Sequence, residues 1–215
     1  MSKLFGIIGL GRFGRSVARR LLELDKEIIC VDKDESIVKE LSEEIDNVYQ
    51  ADCLDEKALK EIGMSDVDTV VVSIGENVEA SIMAVTILHG FGIENIYAKA
   101  VSPLHGRVLA KVGAKRVIFP EKEMGINLAN SLAGIDMIQT LTAGKSYVFA
   151  KIKAPKMFVN KTIKELDIRN RFGLNVIGIE RNGDLDINPM PDEVIQESDI
   201  LMVIGKRDDV EKVSR

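Results

Sequence analysis

The chain has 215 residues, of which 46% are hydrophobic, and its formal net charge is −5. The hydrophobic content is ordinary for a globular protein with a sizeable core. The negative charge excludes a protein that binds nucleic acid non-specifically, because such a protein needs a basic surface to neutralise phosphates. Cys30 and Cys53 lack the spacing typical of a metal site, so we expect two reduced thiols.

The amino terminus reads directly into a short apolar run, so we expect no targeting segment there. Apolar runs such as Thr69–Ile74 are far shorter than the roughly 18 residues that a membrane span needs. We therefore expect a cytoplasmic protein that serves any membrane from its inner face.

The first 120 residues repeat one pattern, in which a short apolar run is followed by a turn and a helix-period stretch. The runs lack polar alternation, as expected for parallel strands that are buried on both faces. This alternation predicts an α/β fold with a doubly wound parallel sheet. The predicted strands are Leu4–Ile8, Glu27–Val31, Val48–Ala51, Thr69–Ile74, Ile96–Ala100 and Arg116–Phe119.

Residues 121–142 read as one helix that is apolar over most of its circumference, with Gly134 as a break or bend. A helix of that kind needs burial from more than one side. It is either a long core helix or a helix that crosses to a second subunit, and we favour the second interpretation.

The pattern changes after Ala143-Gly144, where short alternating runs and turn residues indicate a smaller α+β lobe. Asn182-Gly183 predicts a hairpin turn. The expected domains are therefore 1–143, which binds a nucleotide, and 144–215, the carboxyl-terminal lobe.

The stretch from Gly6 to Gly14, "GIIGLGRFG", contains a GxGxxG motif between a predicted strand and a predicted helix. Gly9 permits the tight turn, Gly11 lets the backbone approach a pyrophosphate, and Gly14 lets helix and strand pack closely. Asp32, at the end of the second apolar run, is expected to accept hydrogen bonds from an adenosine ribose. Its carboxylate would repel the 2′-phosphate of NADP, and Lys33 rather than an Arg follows it, so NADP is disfavoured while NAD, ADP and ATP all fit.

A dehydrogenase would also need a proton donor or acceptor beside the hydride. His89 and His105 lie near predicted helix ends, and we expect surface or helix-end residues there rather than catalytic ones. Tyr97 and Lys99 are two residues apart on a strand and do not form a Tyr-x-x-x-Lys pair. The chain is therefore a weaker candidate for an oxidoreductase than for a sensor.

Several motifs together resemble the KtrA/TrkA group, the cytosolic nucleotide-binding subunits that gate potassium-uptake membrane proteins. They are "IIGLGRFGRSVARRLLE", "VDKD", "ADCLDEKALKEIG", "VVSIGEN", "YAKA" and "FPEKEMG". The resemblance spans the chain, including the Gly183-Asp184 and Pro189-Met190-Pro191 turns of the second lobe, and is strongest to the Ktr type. It implies an RCK domain (regulator of potassium conductance).

The resemblance also implies roles for individual residues. The nucleotide-contacting set would be Gly9, Leu10, Gly11, Arg12, Phe13, Gly14, Asp32, Lys33, Asp52, Cys53, Ile74, Gly75, Glu76 and Lys99. Arg12 would reach a terminal phosphate, and Glu121 would hold a cation beside it.

Simpler alternatives remain open for four of these residues. Arg12 and Lys99 also read as solvated side chains. Asp52 also reads as a helix cap, and Glu121 as an acid in the first turn of a helix, where acids are favoured.

The resemblance further implies an adenine nucleotide (ATP/ADP or NAD/NADH) as effector, an integral-membrane potassium-translocating partner and an octameric ring of four dimers. In some family members the second lobe holds cyclic di-AMP across a dimer, and Asn175, Val176, Ile177 and Pro191 would be its lining here. A plain dimerisation lobe is an equal alternative. The rival functions are an NAD-dependent oxidoreductase and a redox-sensing transcription factor, and the acidic charge disfavours the latter.

Overall fold

The computed structural model describes residues 3–132 and 147–214 and the backbone of residues 135–140. The chain forms two compact units, Met1–Glu121 and Lys122–Arg215. The domain boundary predicted after residue 143 lies outside the described residues. Within the described part of the chain, no helix is both long enough and apolar enough to cross a membrane.

The first unit is built on a parallel sheet with the strand order β3-β2-β1-β4-β5-β6. This confirms the predicted doubly wound α/β fold. Its strands are β1 (Leu4–Ile8), β2 (Glu27–Asp32), β3 (Val48–Gln50), β4 (Thr69–Val72), β5 (Asn95–Lys99) and β6 (Arg116–Ile118). The helices that connect them are α1 (Arg12–Glu23), α2 (Glu35–Leu41), α3 (Glu56–Glu61), α4 (Val78–Gly90) and α5 (Pro103–Lys111), with a 3-10 turn at Met64–Asp66.

Successive residues of the central strands face opposite helical layers. Ile7 and Cys30 pack in one apolar cluster with Leu41, whereas Ile8 and Val31 pack in the other. Alternate side chains of a strand point to opposite faces, so a sheet covered on both sides needs apolar residues at consecutive positions. The unbroken apolar runs of the sequence have this physical origin.

The second unit contains a sheet with the strand order β10-β9-β11-β8-β7, in which every paired strand is antiparallel. Its strands are β7 (Ile135–Thr140), β8 (Tyr147–Lys153), β9 (Leu174–Arg181), β10 (Asp184–Asp186) and β11 (Ile200–Lys206). Its helices are α7 (Ile163–Leu166), α8 (Ile168–Phe172) and α9 (Arg207–Val213), and α6 (Pro120–Leu132) spans the division between the units. The predicted α+β lobe is confirmed.

The predicted hairpin is also confirmed. Asn182 and Gly183 have φ values of 55° and 84°, and Arg181 pairs with Asp184 across them. A two-residue turn with positive φ at both positions matches the twist of antiparallel strands.

The continuous helix predicted over residues 121–142 is wrong beyond Leu132. The helix α6 ends there, and Ile135–Thr140 forms β7, which pairs with β8. A short apolar run fits the period of a strand as well as that of a helix, and here the neighbouring strand provides backbone partners. Gly134, the predicted break, lies outside the described residues.

One arginine joins three parts of the second unit. The Arg181 guanidinium donates from Nε and Nη2 to the two carboxylate oxygens of Asp199, at 2.8 Å each, from Nη1 to Glu193, and from Nη2 to the Val194 carbonyl. Asp199 is fully buried and also accepts the Gln196 N–H. The hydrogen bonds from Arg181 lower the pKa of Asp199.

Replacing Arg181 by Met should destabilise the protein by about 3–5 kcal/mol, because a buried carboxylate would lose its counter-charge. Lys151→Met is the matched control, since Lys151 and Glu180 form an ion pair whose side chains are 32% and 26% exposed. It should cost about 1 kcal/mol or less. Urea unfolding at neutral pH measures both effects, and equal losses would contradict the assignment.

The pairing with Arg181 depresses the pKa of Asp199 in the folded state. The stabilisation of the folded protein by this pair is therefore complete at pH values above the pKa that Asp199 has in the unfolded chain. It is lost as the pH falls through the folded pKa. The difference between wild type and Arg181→Met should therefore shrink in acid.

Candidate functional site

The candidate site lies at the edge of the parallel sheet where the strands reach their carboxyl ends. The order β3-β2-β1-β4-β5-β6 reverses direction between β1 and β4, so the loops that follow these two strands diverge. Ligands of doubly wound folds bind in the crevice at such a reversal. The glycine loop follows β1 there and opens α1.

The three glycines of the loop have different physical requirements. Gly9 has φ of 87°, a conformation that other residues rarely adopt. A Cβ atom on Gly14 would overlap the Gly9 carbonyl oxygen and lie 2.6 Å from the Ser73 hydroxyl. A Cβ on Gly11 would meet no heavy atom within 4 Å. Gly9 and Gly14 are therefore required by the fold, and Gly11 only by what approaches from outside.

The helix α1 begins differently from the four helices that follow it along the chain. The helices α2, α3, α4 and α5 each carry a side chain that accepts a hydrogen bond from their first turn, namely Asp34, Asp55, Asn77 and Ser102. The corresponding residue of α1 is Gly11, which has no side chain to cap it. The first N–H groups of α1 are thus left to solvent or to a ligand, and they suit phosphate oxygens.

Asp32 lies at the end of β2, as predicted, and both of its carboxylate oxygens accept backbone hydrogen bonds. Oδ2 accepts the Leu10 N–H at 2.5 Å, and Oδ1 accepts the Asp34 N–H at 2.9 Å. Each carboxylate oxygen keeps a further lone pair, so ribose hydroxyls can still donate to it. Asp32 therefore braces the glycine loop in addition to the role that the sequence suggests. Lys33 beside it is exposed.

Asp52 does not cap the next helix, contrary to one of the two interpretations of the sequence. Its carboxylate accepts the Leu54 N–H within the turn after β3, and Asp55 caps α3. Cys53 is half-buried, and burial, with a smaller effect of the Asp52 charge, raises the pKa of its thiol to about 11. Burial raises the pKa of the Cys30 thiol to about 12. Both side chains are neutral thiols at physiological pH.

Ser73 is a residue of this edge that the sequence analysis missed. It follows β4 directly, it is 7% exposed, and its hydroxyl donates to the Gly9 carbonyl at 2.6 Å. The predicted residues Ile74, Gly75 and Glu76 come next, before α4 begins. Ser73 thus joins the loop after β4 to the glycine loop.

Lys99 and Glu121 form an ion pair of 2.7 Å between the end of β5 and the first turn of α6. The Lys99 side chain is 15% exposed, so its interpretation as a solvated lysine is wrong. The hydrogen bond from Lys99 lowers the pKa of Glu121, and its backbone hydrogen bond and the charges of Lys99 and Arg12 act in the same direction. Arg12 is exposed, and its charge acts on Glu121. An exposed cationic side chain therefore lies near the ion pair of Lys99 and Glu121 at this edge.

The predicted role of Glu121 as a cation ligand depends on other ligands beside it. Among the described residues there is no cluster of three or more His, Cys, Asp or Glu side chains that could hold a metal. One carboxylate that already pairs with Lys99 is not a metal site by itself.

The histidines occupy different positions. His89 is exposed in the last turn of α4, as predicted. His105 lies near the start of α5, also as predicted, but it is buried rather than on the surface, and burial lowers its pKa.

Comparison with known proteins gives consistent results over the whole chain. The family model of the TrkA-N domain matches residues 5–120, and that of the TrkA-C domain matches residues 147–215. The chain is 34% identical over 215 residues to the Ktr system potassium uptake protein C of Bacillus subtilis, covering 100% of this chain and 97% of that protein. It is 32% identical over 211 residues to the Ktr system potassium uptake protein A of the same organism, covering 98% and 95%.

Among solved structures, the GsuK channel bound to NAD aligns with 100% of this chain and 40% of its own, with a TM-score of 0.65. The identity is 19%, so this likeness concerns the fold. The present chain spans less than half of that channel polypeptide.

The glycine geometry predicts two separable effects. Gly11→Ala should change the free energy of unfolding by about 1 kcal/mol or less, because its Cβ would lie in open space. It should nevertheless abolish tight binding of ADP, if ADP is the ligand, because the second glycine of this motif lets the backbone approach a pyrophosphate. Gly14→Ala should destabilise the protein by about 1–3 kcal/mol through overpacking. Thermal unfolding and titration calorimetry distinguish the two. Wild-type ADP affinity in Gly11→Ala would refute the assignment.

Proposed function

The chain belongs to the TrkA family, whose TrkA-N and TrkA-C domains follow one another in this polypeptide, and we propose that it is a nucleotide-sensing regulatory subunit of a potassium-uptake system. It would bind an adenine nucleotide, change the shape of a ring and so control potassium flux through an integral-membrane partner. It would act in the cytoplasm, at the inner face of the membrane. The full-length identity with the Ktr proteins carries this proposal.

The geometry of the sheet edge supports nucleotide sensing. It combines an uncapped helix amino terminus, a glycine with open space beside it and a carboxylate at the ribose position. These features suit an adenosine with two or more phosphates, which ATP, ADP, NAD and NADH share. The GsuK channel, which shares the fold, has been solved with NAD.

The alternative of an NAD-dependent oxidoreductase has less support. His89 lies at the end of α4, and helices of a doubly wound fold run back toward the amino edge of the sheet. His105 is buried, and its lowered pKa reflects desolvation rather than a catalytic partner. The relatives reported above are potassium uptake proteins by name. We therefore propose a non-catalytic protein.

The proposed switch distinguishes nucleotides by their third phosphate. ATP and ADP share the groups that the glycines and Asp32 would contact. The extra phosphate of ATP must therefore be recognised by other charged side chains of the site. Arg12 is exposed near Glu121 and suits a bidentate phosphate contact. Glu121 would repel the phosphate, so we propose a cation between them, and Lys99 would then exchange Glu121 for phosphate.

The helix α6 supports assembly into dimers. Met124, Leu128 and Leu132 recur every four residues and are 68%, 59% and 81% exposed, respectively. Residues at this spacing share one face of a helix, and exposed apolar patches mark interaction sites. We propose that this face packs against a second copy and, following the family resemblance, that four dimers close an octameric ring.

A cavity of about 320 Å³ supports a second ligand site in the carboxyl-terminal lobe, proposed here as residues 144–215. Of the predicted lining, Asn175, Val176 and Pro191 contribute to it, whereas Ile177 is not among its lining residues. Lys164 and Arg169 add two cations beside Asp167. These charges and a half-apolar wall suit one half of cyclic di-AMP, with the other half held by a dimer partner.

The nucleotide switch predicts that Arg12→Ala leaves ADP affinity nearly intact and removes most of the preference for ATP. Arg20→Ala is the matched control, because Arg20 lies on the same helix and pairs with Glu23 on the surface. Titration calorimetry measures the affinities, and potassium flux through the reconstituted membrane partner measures the response. If the Arg12→Ala protein separates the two nucleotides as the wild type does, the switch lies elsewhere.

The assembly proposal predicts that Leu128→Glu reduces the mass in solution. Leu24→Glu is the control, since Leu24 is similarly exposed but lies at the end of α1. Light scattering should report a multiple of the 23.7 kDa chain for the wild type and for the control. A monomeric wild type at micromolar concentration would exclude the dimer.

The second-ligand proposal predicts that cyclic di-AMP binds the wild type and that Lys164→Ala weakens it by about tenfold, as expected for one lost charged hydrogen bond. Arg171→Ala, from the same region but outside the cavity lining, should bind as the wild type does. Calorimetry provides the comparison. A lobe that dimerises without binding cyclic di-AMP would instead be a plain dimerisation lobe.

A further inference from the structure

The peptide group between Gly9 and Leu10 is held from both sides by side chains of the neighbouring strands. Its carbonyl oxygen accepts the Ser73 hydroxyl at 2.6 Å, and its N–H donates to Asp32 Oδ2 at 2.5 Å. Ser73 follows β4, and Asp32 ends β2, while the peptide itself follows β1. One amide thus connects the carboxyl ends of three adjacent strands.

The same segments are joined by backbone hydrogen bonds that continue the sheet past its strands. The Gly9 N–H donates to the Val31 carbonyl at 2.9 Å, and the Ser73 N–H donates to the Ile8 carbonyl at 2.8 Å. These bonds place Ser73 and Asp32 on opposite sides of the peptide, but they do not involve the Gly9 carbonyl or the Leu10 N–H. The orientation of that peptide therefore depends on the two side chains.

Gly9 makes this dependence strong. Its φ of 87° is one that glycine adopts easily, but glycine adopts negative φ with equal ease. Because glycine has no Cβ, ψ of Gly9, which sets the orientation of the peptide that follows it, is also less restricted than in other residues. Hydrogen bonds at both ends of one amide polarise each other and strengthen the arrangement, particularly where water is excluded. Ser73 is 7% exposed and Leu10 is fully buried, so little water reaches this peptide group.

The orientation matters because α1 starts immediately afterwards. The Gly9 carbonyl oxygen also lies where a Cβ of Gly14 would be, so rotating this carbonyl would change how α1 packs on the sheet. The N–H groups that α1 offers to phosphates would move with it.

We propose that Ser73 is a positioning residue for the nucleotide, whose hydroxyl holds the Gly9–Leu10 peptide in the orientation that Asp32 also requires. This inference rests on the proposed binding of an adenine nucleotide at this edge. The glycine loop is then preorganised before the ligand arrives, and removal of the hydroxyl allows the peptide to rotate.

The test compares Ser73→Ala with Ser81→Ala. Ser81, on α4, is fully buried, and its hydroxyl has no hydrogen-bond partner within the described part of the chain. Both variants remove one buried oxygen, but only the first removes a bond to the glycine loop. Two measurements apply to each: hydrogen exchange of the Leu10 amide in the ligand-free protein, and calorimetric affinity for ADP.

Ser73→Ala should speed exchange of the Leu10 amide and weaken ADP by about fivefold to tenfold, the effect of one hydrogen bond. Ser81→Ala should match the wild type in both. Equal exchange and equal affinity in Ser73→Ala would overturn the inference, as would the same losses in both variants, which would indicate general loosening. A wild type that binds neither ADP nor NAD would instead contradict the proposed function, and the Leu10 exchange rate still reports whether Ser73 holds the peptide.

Discussion

The Gly9 carbonyl oxygen lies against Gly14 and accepts a hydrogen bond from the Ser73 hydroxyl, and β1, β4 and α1 meet at this contact. No side-chain atom fits between the first turn of α1 and the end of β1, so helix and strand approach as closely as backbones allow. The open start of α1 is thereby placed at the reversal point of the sheet. Asp32, Lys99 and Glu121 then lie at the carboxyl ends of their own strands or just beyond them, because a parallel sheet brings all those ends to one edge.

Before any ligand binds, Asp32 and Lys99 at this edge already have partners within the chain. Asp32 accepts two backbone N–H groups, and Lys99 is paired with Glu121. The proposed nucleotide would add hydrogen bonds at Asp32 and would exchange partners at Lys99, so its net effect would be a difference between two sets of contacts. Glu121 belongs to the first turn of α6, so the proposed exchange at Lys99 would act at the start of that helix.

Sequence reasoning identified the features that depend on neighbouring residues along the chain. Buried strands need consecutive apolar residues, and a loop without Cβ atoms needs glycines at fixed spacing, so the sheet and the roles of Gly9 and Gly14 followed directly. Features that depend on tertiary structure did not follow. A single serine after a strand has no periodic pattern, so Ser73 was missed.

The same limit explains the other differences. Lys99 and Glu121 are far apart in sequence, and only the parallel arrangement of β5 and β6 brings them together. From the sequence, Asp52 and Asp55 are equally good caps for the amino terminus of α3. The geometry of the turn after β3 makes Asp55 the cap. The six residues of β7 fit the period of a helix and that of a strand equally well, and only the pairing with β8 shows that they form a strand.

The uncapped start of α1 has a consequence for protein engineering. A helix that begins with Asp or Ser instead of Gly gains some tenths of a kcal/mol, so Gly11→Asp is a change that selection for thermal stability alone would accept. The new carboxylate would occupy the place proposed for the phosphates at the start of α1, and its negative charge would repel them. Stability and ligand recognition therefore oppose each other at this one position, and a library screened only for heat resistance would lose the site while keeping the fold.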